Sequence, residues 1–297
     1  ETKMEKFLEL SISGICTGAL YSLIALGIVL VYKATHVVSL AHGGLMAMAA
    51  LFFFFLMWEW ELPLALAIIL GVLFGALLGY IINRTCLQPL IGQPLMSAFL
   101  ITFAIFQVLG GLFQLILGGY SRGLPPFLPS GELMLAGVAI DISRGVSCLI
   151  ALVVFGGVWA FFQYSKTGLA MRATAEEHKL AQSTGIRVKQ IFSWVWMISA
   201  VMCVVAGLLL AAVVDISWSL ADLGIIALAV ALFGGMDSIH GALVAGLVVG
   251  FLQNLGGGYV DTIVGGGFAD LTAFIVLLLV LLIKPYGLFG EVRIERI

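Results

Sequence analysis

The sequence predicts an all-α polytopic membrane protein with about eight or nine transmembrane helices, some of them discontinuous. Three observations carry this. Hydrophobic residues make up 62% of the 297 and charged residues only 10%, where a soluble chain carries about a quarter. Residues 95–117 and 191–214 contain no charge and exceed the roughly 20 residues that a helix needs to cross hydrocarbon. Segments of about ten residues with alternating polarity, the mark of a membrane barrel, do not occur.

Apolar runs between polar breaks place spans at 7–31, 43–57, 62–82, 95–117, 145–164, 191–214, 223–233, 241–255 and 268–283, in one transmembrane domain, 1–297. The first is not followed by a signal-peptide cleavage pattern, so it stays as a helix, and it ends at Lys33. The second begins at His42-Gly43-Gly44 and stops at the acidic, aromatic Glu59-Trp60-Glu61. The third ends at Arg84. The fourth leads into a long external loop, 118–145, broken by Pro125-Pro126 and Pro129. Its charges Arg122, Glu132, Asp141 and Arg144 are candidates for docking a soluble partner. The fifth runs into a polar island, 165–190, and the sixth ends before the Asp215 to Asp222 connection. The seventh is only about 16 Å long as a helix, half the hydrocarbon thickness. The last begins near Asp270, which reads as solvated, and ends at Lys284-Pro285.

Positive charge sets the orientation. Lys33, Arg84, Lys166, Arg172, Lys179, Arg187, Lys189, Lys284, Arg293 and Arg296 fall on one side, against Lys3, Lys6, Arg122 and Arg144 on the other. Excess basic residues mark the cytoplasmic side, which puts the N-terminus outside and the C-terminus in the cytoplasm.

The island contains Thr174-Ala175-Glu176-Glu177, a capping-box pattern, followed by Gly185 as a left-handed stop. This predicts a helix of about ten residues, 175–184, too short to stand alone in water. Glu176 and Glu177 suit the positive end of its dipole, while Leu180, Ala181 and Thr184 cluster on its second half. Such a helix suits docking to a cytoplasmic partner. The plainer reading is a loop with one helical turn.

Two interrupted segments mark a candidate translocation path. One holds Ser39, His42 and Gly43; the other holds Gly234, Gly235, Asp237 and His240. Irregular backbone at membrane depth is tolerated only inside protein or beside a watery cavity. His42-Gly43-Gly44-Leu45-Met46-Ala47 also resembles His240-Gly241-Ala242-Leu243-Val244-Ala245, and paired interruptions in two halves point to a path. Asp237 reads either as path-lining or as a helix N-cap, and the two histidines as partners for freed backbone. Asn254 is an uncharged polar residue within a span that could line the same path.

Other classes are disfavoured. A net charge of −2 argues against nucleic-acid binding, which needs a basic stripe. The interiors of the second to eighth spans carry no charge, whereas proton-coupled transporters place charges there. Cys16, Cys86, Cys148 and Cys203 form no Cys-x-x-Cys pair, the four histidines match no zinc pattern, and no phosphate-binding Gly-x-x-x-x-Gly-Lys-Ser/Thr loop occurs. The expectation is a chain that is not an enzyme and holds no metal or cofactor itself.

Four segments, in order, resemble the permease subunits of the high-affinity branched-chain amino acid ABC importers, the LivH/LivM type. Ser39-Leu40-Ala41-His42-Gly43 is similar to that family's Asn-Phe-Ala-His-Gly. The run from Thr167 to Ala175, continuing to Ala181 and Gly185-Ile186, is similar to its coupling segment. Phe233 to Ala242 resembles its Gly-Gly-x-Gly-Ser-Ile-x-Gly-Ala stretch, and Lys284 to Gly290 its closing Arg-Pro-x-Gly-Leu-x-Gly. Ser39-Leu40, Gln88, Glu177-His178, Asp237 and His240 depart from the family pattern. The resemblance implies an importer subunit working by alternating access in the bacterial inner membrane, amid membrane lipid. It implies four partners: a second homologous permease, two ATPases that bind ATP and Mg, and an external substrate-binding protein. It makes Thr174, Glu176, Glu177, Leu180, Ala181, Thr184 and Gly185 the ATPase-coupling residues. The alternative is a secondary transporter or channel for a small polar solute, needing no ATPase.

Overall fold

The computed structural model describes residues 3–124, 126–135 and 138–290. Pro125, Arg293 and Arg296 therefore lie outside the described residues, as do the side chains of His178 and Lys179. The helices are α1 (Lys3–Thr35), α2 (Ala41–Phe54), α3 (Leu64–Ile82), α4 (Leu95–Leu117), α5 (Ile142–Tyr164), α6 (Lys166–Glu176), α7 (His178–Ser183), α8 (Val188–Ala211), α9 (Ser219–Gly234), α10 (Ile239–Gly256), α11 (Thr262–Val264) and α12 (Phe268–Ile283). Seven are long and apolar enough to cross a membrane, alone or with their continuations, and α9 and α12 are shorter apolar helices. Each expected span therefore has its helix. The seventh is long enough to change its reading: α9 starts at Ser219, and its 16 residues rise about 24 Å.

The centre of the bundle is α1, whose stretch from Leu20 to Val31 is buried throughout. A helix buried on all sides must be apolar on all sides, and this one is. It crosses α10 through facing pairs of small residues, Gly14 and Gly18 against Gly246 and Gly250. A Cβ at Gly18 would run into the Gly246 carbonyl oxygen, so only glycine permits the approach. Close backbone packing of this kind holds helices together where lipid removes the hydrophobic drive. Ser22 adds a bond across the same seam, its Oγ 3.1 Å from the Leu243 carbonyl. α8 packs against α1, α2 and α3, while α3, α4 and α5 keep most of their apolar surface outward.

The connections separate into two ends. At one, Lys33 Nζ donates to the Asp237 carbonyl (2.9 Å), Gln88 Nε2 to the Lys189 carbonyl (3.2 Å) and Leu288 N to the Phe233 carbonyl (2.9 Å). At the other, Arg122 and Ile216 exchange backbone bonds, Arg144 Nη1 donates to Ser13 Oγ (2.5 Å), and Lys6 sits 5.4 Å from the Tyr259 ring centroid. These are the same groupings that the charge bias makes. Within 118–145 the chain forms a small antiparallel hairpin, β1 (Glu132–Leu135) with β2 (Val138–Asp141), Glu132 facing Asp141; nothing in the residue pattern singled it out.

Candidate functional site

The first interruption is a stretch without helical structure after α1, from His36 to Ser39, leading through Leu40 into α2. Thr102 of α4 serves its backbone: Leu40 N–H donates to Thr102 Oγ1 at 3.3 Å, and the hydroxyl lies 3.4 Å from the Val38 carbonyl. α2 then starts inside protein. Ser39 and His42 are each 1% exposed. His42 Nδ1 lies 3.0 Å from Ser39 Oγ and Nε2 lies 2.5 Å from Ser199 Oγ, whose hydroxyl donates onward to the Gly27 carbonyl at 2.9 Å. The His42 ring also meets the Trp196 ring, centroids 5.7 Å apart. Gly43 lets the backbone of α9 approach at Ala221 and Gly224. Three helices, α1, α2 and α8, are thus joined by one satisfied polar chain in an apolar core. The reading of His42 as a partner for freed backbone leaves out the two hydroxyls, of Ser39 and Ser199, that its ring nitrogens meet. Ser199, Trp196 and Thr102 went unnoticed because each sits in an uncharged run where small hydroxyls and aromatics look like packing.

Beneath this chain lies a cavity of about 280 Å³, lined by Thr35, Val37, Asn83, Gln93, Phe192 and Trp196 among others. Trp196 therefore touches the cavity and the His42 ring. The cavity is at the end of the bundle that carries 165–190.

The second interruption follows α9. Gly235 has φ +101°, and a Cβ there would sit 2.5 Å from Gly290 N. Leu288 N–H and Phe289 N–H donate to the carbonyls of Phe233 and Gly234 at 2.9 and 3.0 Å, so the segment after α12 satisfies the open end of α9. Gly234 packs on Gly241. Asp237 does not cap α10; Ser238 does, its Oγ accepting from Gly241 N–H at 3.0 Å. A serine hydroxyl reaches that amide from the residue adjoining the helix, whereas Asp237 lies one residue too early. Asp237 instead offers its carbonyl to Lys33. His240 is exposed and meets Trp159 edge-on, centroids 5.8 Å apart. It is not equivalent to the buried His42. Asn254 lies apart from both interruptions, against Gly14 of α1, and Asp270 is exposed, accepting from Gln253 Nε2 at 3.1 Å.

The island folds differently from the expected helix over 175–184. α6 and α7 are separate helices broken at Glu177, which is extended at φ −155°, ψ 112°. Thr174 is not a cap: it is buried inside α6, with Oγ1 donating to the Ala170 carbonyl at 2.8 Å. Ser165 is the cap, accepting from Gly168 N–H at 2.8 Å. The cap is earlier because Thr174 lies on the face of α6 that packs inward, and burial outweighs a local capping preference. Gly185 is the stop, at φ +87°, with Ile186 N–H donating to Ala181 O at 3.1 Å and Gly185 N–H to Gln182 O at 3.0 Å. That pair of bonds is the six-to-one and five-to-two pattern of a Schellman turn. Leu180 is 66% exposed, while Ala181 is 4% exposed and packs with Val188 and Phe192 of α8. Glu176, Glu177 and Thr184 are exposed. Arg172 Nη1 donates to the carbonyls of Phe162 and Gln163 at the end of α5. The outward surface of the island thus includes Leu180, Thr184 and the two glutamates, while Thr174 and Ala181 are buried beneath it.

At the opposite end, Glu132, Asp141 and Arg144 border one hollow with Glu9 and Ser13, of about 200 Å³. Asp141 caps α5 through Ser143 N–H at 2.9 Å and lies 3.8 Å from Arg144. Arg122 stands elsewhere, beside Ile216. Among the described residues no cluster of His, Cys, Asp or Glu has the makings of a metal site.

Residues 10–284 match the family of the branched-chain amino acid transport system permease component. The chain is 30% identical to the high-affinity branched-chain amino acid transport system permease protein BraD of Pseudomonas aeruginosa, over 98% of each chain. It is 27% identical to the permease protein LivH of the corresponding high-affinity system of Salmonella typhimurium, again over 98% of each. The same fold occurs in PsaBC from Streptococcus pneumoniae in complex with Fab, with a TM-score of 0.56 and 15% identity over 95% of this chain and 93% of that one. The chain belongs to the branched-chain amino acid transport permease family.

Proposed function

We propose that this chain is the membrane-spanning subunit of an ATP-driven importer of branched-chain or related small amino acids, working by alternating access in the bacterial inner membrane. Its partners are a second homologous permease, two ATPases holding ATP and Mg, and an external substrate-binding protein. The end carrying 165–190 faces the cytoplasm, and the hollow of Glu132, Asp141 and Arg144 faces the binding protein. The observation that carries this reading is the island's two-sided surface. The short helix α7 presents Leu180 outward, flanked by the exposed Glu176, Glu177 and Thr184, while Ala181 is seated on α8. A displacement of α7 by the ATPases passes to α8 through Val188 and Phe192, and to α5 through α6 and Arg172. α8 also carries Trp196 and Ser199, so the same motion reaches Ser39, His42 and Gly43 at the start of α2. That linked chain is the element that would open and close a path over the cavity below it, with Lys33 coupling it to Gly234, Gly235 and Asp237.

The test is uptake of radiolabelled leucine into proteoliposomes containing this chain, the second permease and the ATPases, with the binding protein added outside. Uptake should require ATP and the binding protein. Uptake driven by an ion gradient without ATP would support the secondary-transporter reading instead.

A further inference from the structure

Between α3, α5 and α8 the bundle leaves a groove that the coupling route does not use. α3 packs closely on α8, but α3 and α5 scarcely touch each other. α8 is therefore the floor, through Trp194, Met197, Ile198 and Val201, one face at helical spacing. α5 forms a wall with Val154, Gly157, Val158 and Phe161 at the same spacing. The groove holds about 390 Å³ and is lined almost wholly by carbon. Gly157 has no atom within 4 Å of where its Cβ would be, so it is a depression in the wall, not a packing contact. From Trp194 to Val201 the floor runs about 10 Å, most of the ~15 Å of one leaflet's hydrocarbon.

At the end that carries 165–190 the groove opens into a polar mouth of about 380 Å³ that shares Trp194 and Met197 with it. Arg84, Gln88, Lys189 and Ser193 line this mouth. Across Trp194 and Gln190 a further hollow carries Lys166 and Arg187. Among the described residues none of these four cations forms an ion pair. Arg84 donates through Nη1 to Gln88 Oε1 at 2.7 Å, which leaves its remaining N–H groups for an anionic acceptor. Gln88 Nε2 in turn lies 3.2 Å from both the Lys189 carbonyl and Ser193 Oγ, which holds the mouth in shape.

Any outward apolar face is wetted by lipid. A chain-sized groove ending under cations that have no ion-pair partner is selective for one kind of lipid. We propose that this groove binds an anionic phospholipid, with its phosphate at Arg84 and Lys189 and one acyl chain along α8 over Gly157. The headgroup then bridges the inner end of α3 and the start of α8. It lies one hollow away from Gly185 and Ile186, where α7 turns into α8, and so it stiffens the seat of α7.

Native mass spectrometry of the full chain released from nanodiscs of mixed phosphatidylcholine and phosphatidylglycerol tests this. The unsubstituted chain should retain phosphatidylglycerol in preference to phosphatidylcholine. Arg84→Gln with Lys189→Gln should weaken that retention roughly 25-fold, at about fivefold for each cation removed, and leave phosphatidylcholine retention alone. Gly157→Leu should reduce retention of both lipids without lowering the thermal midpoint, since its side chain enters open space. Absence of any preference in the unsubstituted chain, or retention that neither variant alters, overturns the proposal. Efficient cross-linking of a cysteine at Gly157 to a second membrane subunit in the assembled complex also overturns it, because the groove would then be a protein interface.

Discussion

The ammonium of Lys33 donates to the main-chain carbonyl of Asp237 at 2.9 Å, joining residues 204 apart in sequence. It ties the end of α1, just before the first interruption, to the second. Backbone freed at such interruptions lacks helical partners, and a charged donor serves it best. Lys33→Met keeps the aliphatic length and removes the donor, so unfolding stability in detergent should fall by about 1.5–3 kcal/mol, with Lys33→Arg restoring most of it. An unchanged thermal midpoint for Lys33→Met would make this bond incidental.

Ser199 stands between His42 and the Gly27 carbonyl, so removing it leaves His42 Nε2 buried without this partner and takes the side-chain donor from a carbonyl that keeps only its helical bond. Ser199→Ala should cost about 1–3 kcal/mol. In a double-mutant cycle with His42→Ala the two losses should be strongly non-additive, because both act on one network. Additive losses would mean that the two side chains are independent packing elements.

Gly235 changes what a blocked transporter would mean. At φ +101° with Gly290 N in the way, even alanine is strained by about 1–3 kcal/mol before the clash is counted. Gly235→Ala should therefore release the segment after α12, seen as faster chymotrypsin cleavage near Tyr286 and Phe289. Lost uptake in such a variant reports broken packing and not an obstructed path. Unaltered cleavage together with lost uptake would restore the path-lining role.

The spans were legible because hydrocarbon imposes a length and a composition that few other structures share. The two interruptions were legible for the same reason: glycine pairs and polar residues do not belong at that depth unless something receives them. What received them was not legible. Thr102 and Ser199 lie in uncharged runs, and a hydroxyl that bonds its own helix looks the same in sequence as one that reaches another. The island misled for the opposite reason. Thr174 to Glu177 carries a strong local signal, but the inward face of α6 overrode it, and the extended Glu177 split one expected helix into two.

The grouping of Lys33, Arg84, the island and Asp237 at one end of the bundle makes the orientation testable by labelling. In a background with Cys86 and Cys148 replaced, a cysteine at Ser130 should react with a membrane-impermeant maleimide in intact cells. One at Ser183 should react only after the membrane is opened. Both positions are exposed in the fold, so accessibility differs only by side. Reaction of the Ser183 position from outside would invert the whole arrangement and move the coupling surface to the wrong face.

Two neighbouring residues separate docking from seating. Leu180 is 66% exposed and Ala181 only 4%, although they adjoin in one six-residue helix. A helix that short has no stability of its own, so it holds its place through Ala181 against Val188 and Phe192. Leu180→Asp combined with Glu177→Lys changes two exposed side chains and leaves the Ala181 seat as it is. It should leave the thermal midpoint of the membrane subunit intact and abolish substrate-stimulated ATP hydrolysis in the assembled importer. Ala181→Asp places a carboxylate in the apolar seat, where an unpaired charge is costly. It should loosen α7 and raise proteolysis between Gly185 and Lys189 in the isolated subunit, before any ATPase is present. If the outward pair transports at the unsubstituted rate with both ATPases bound, α7 is not where the ATPases push.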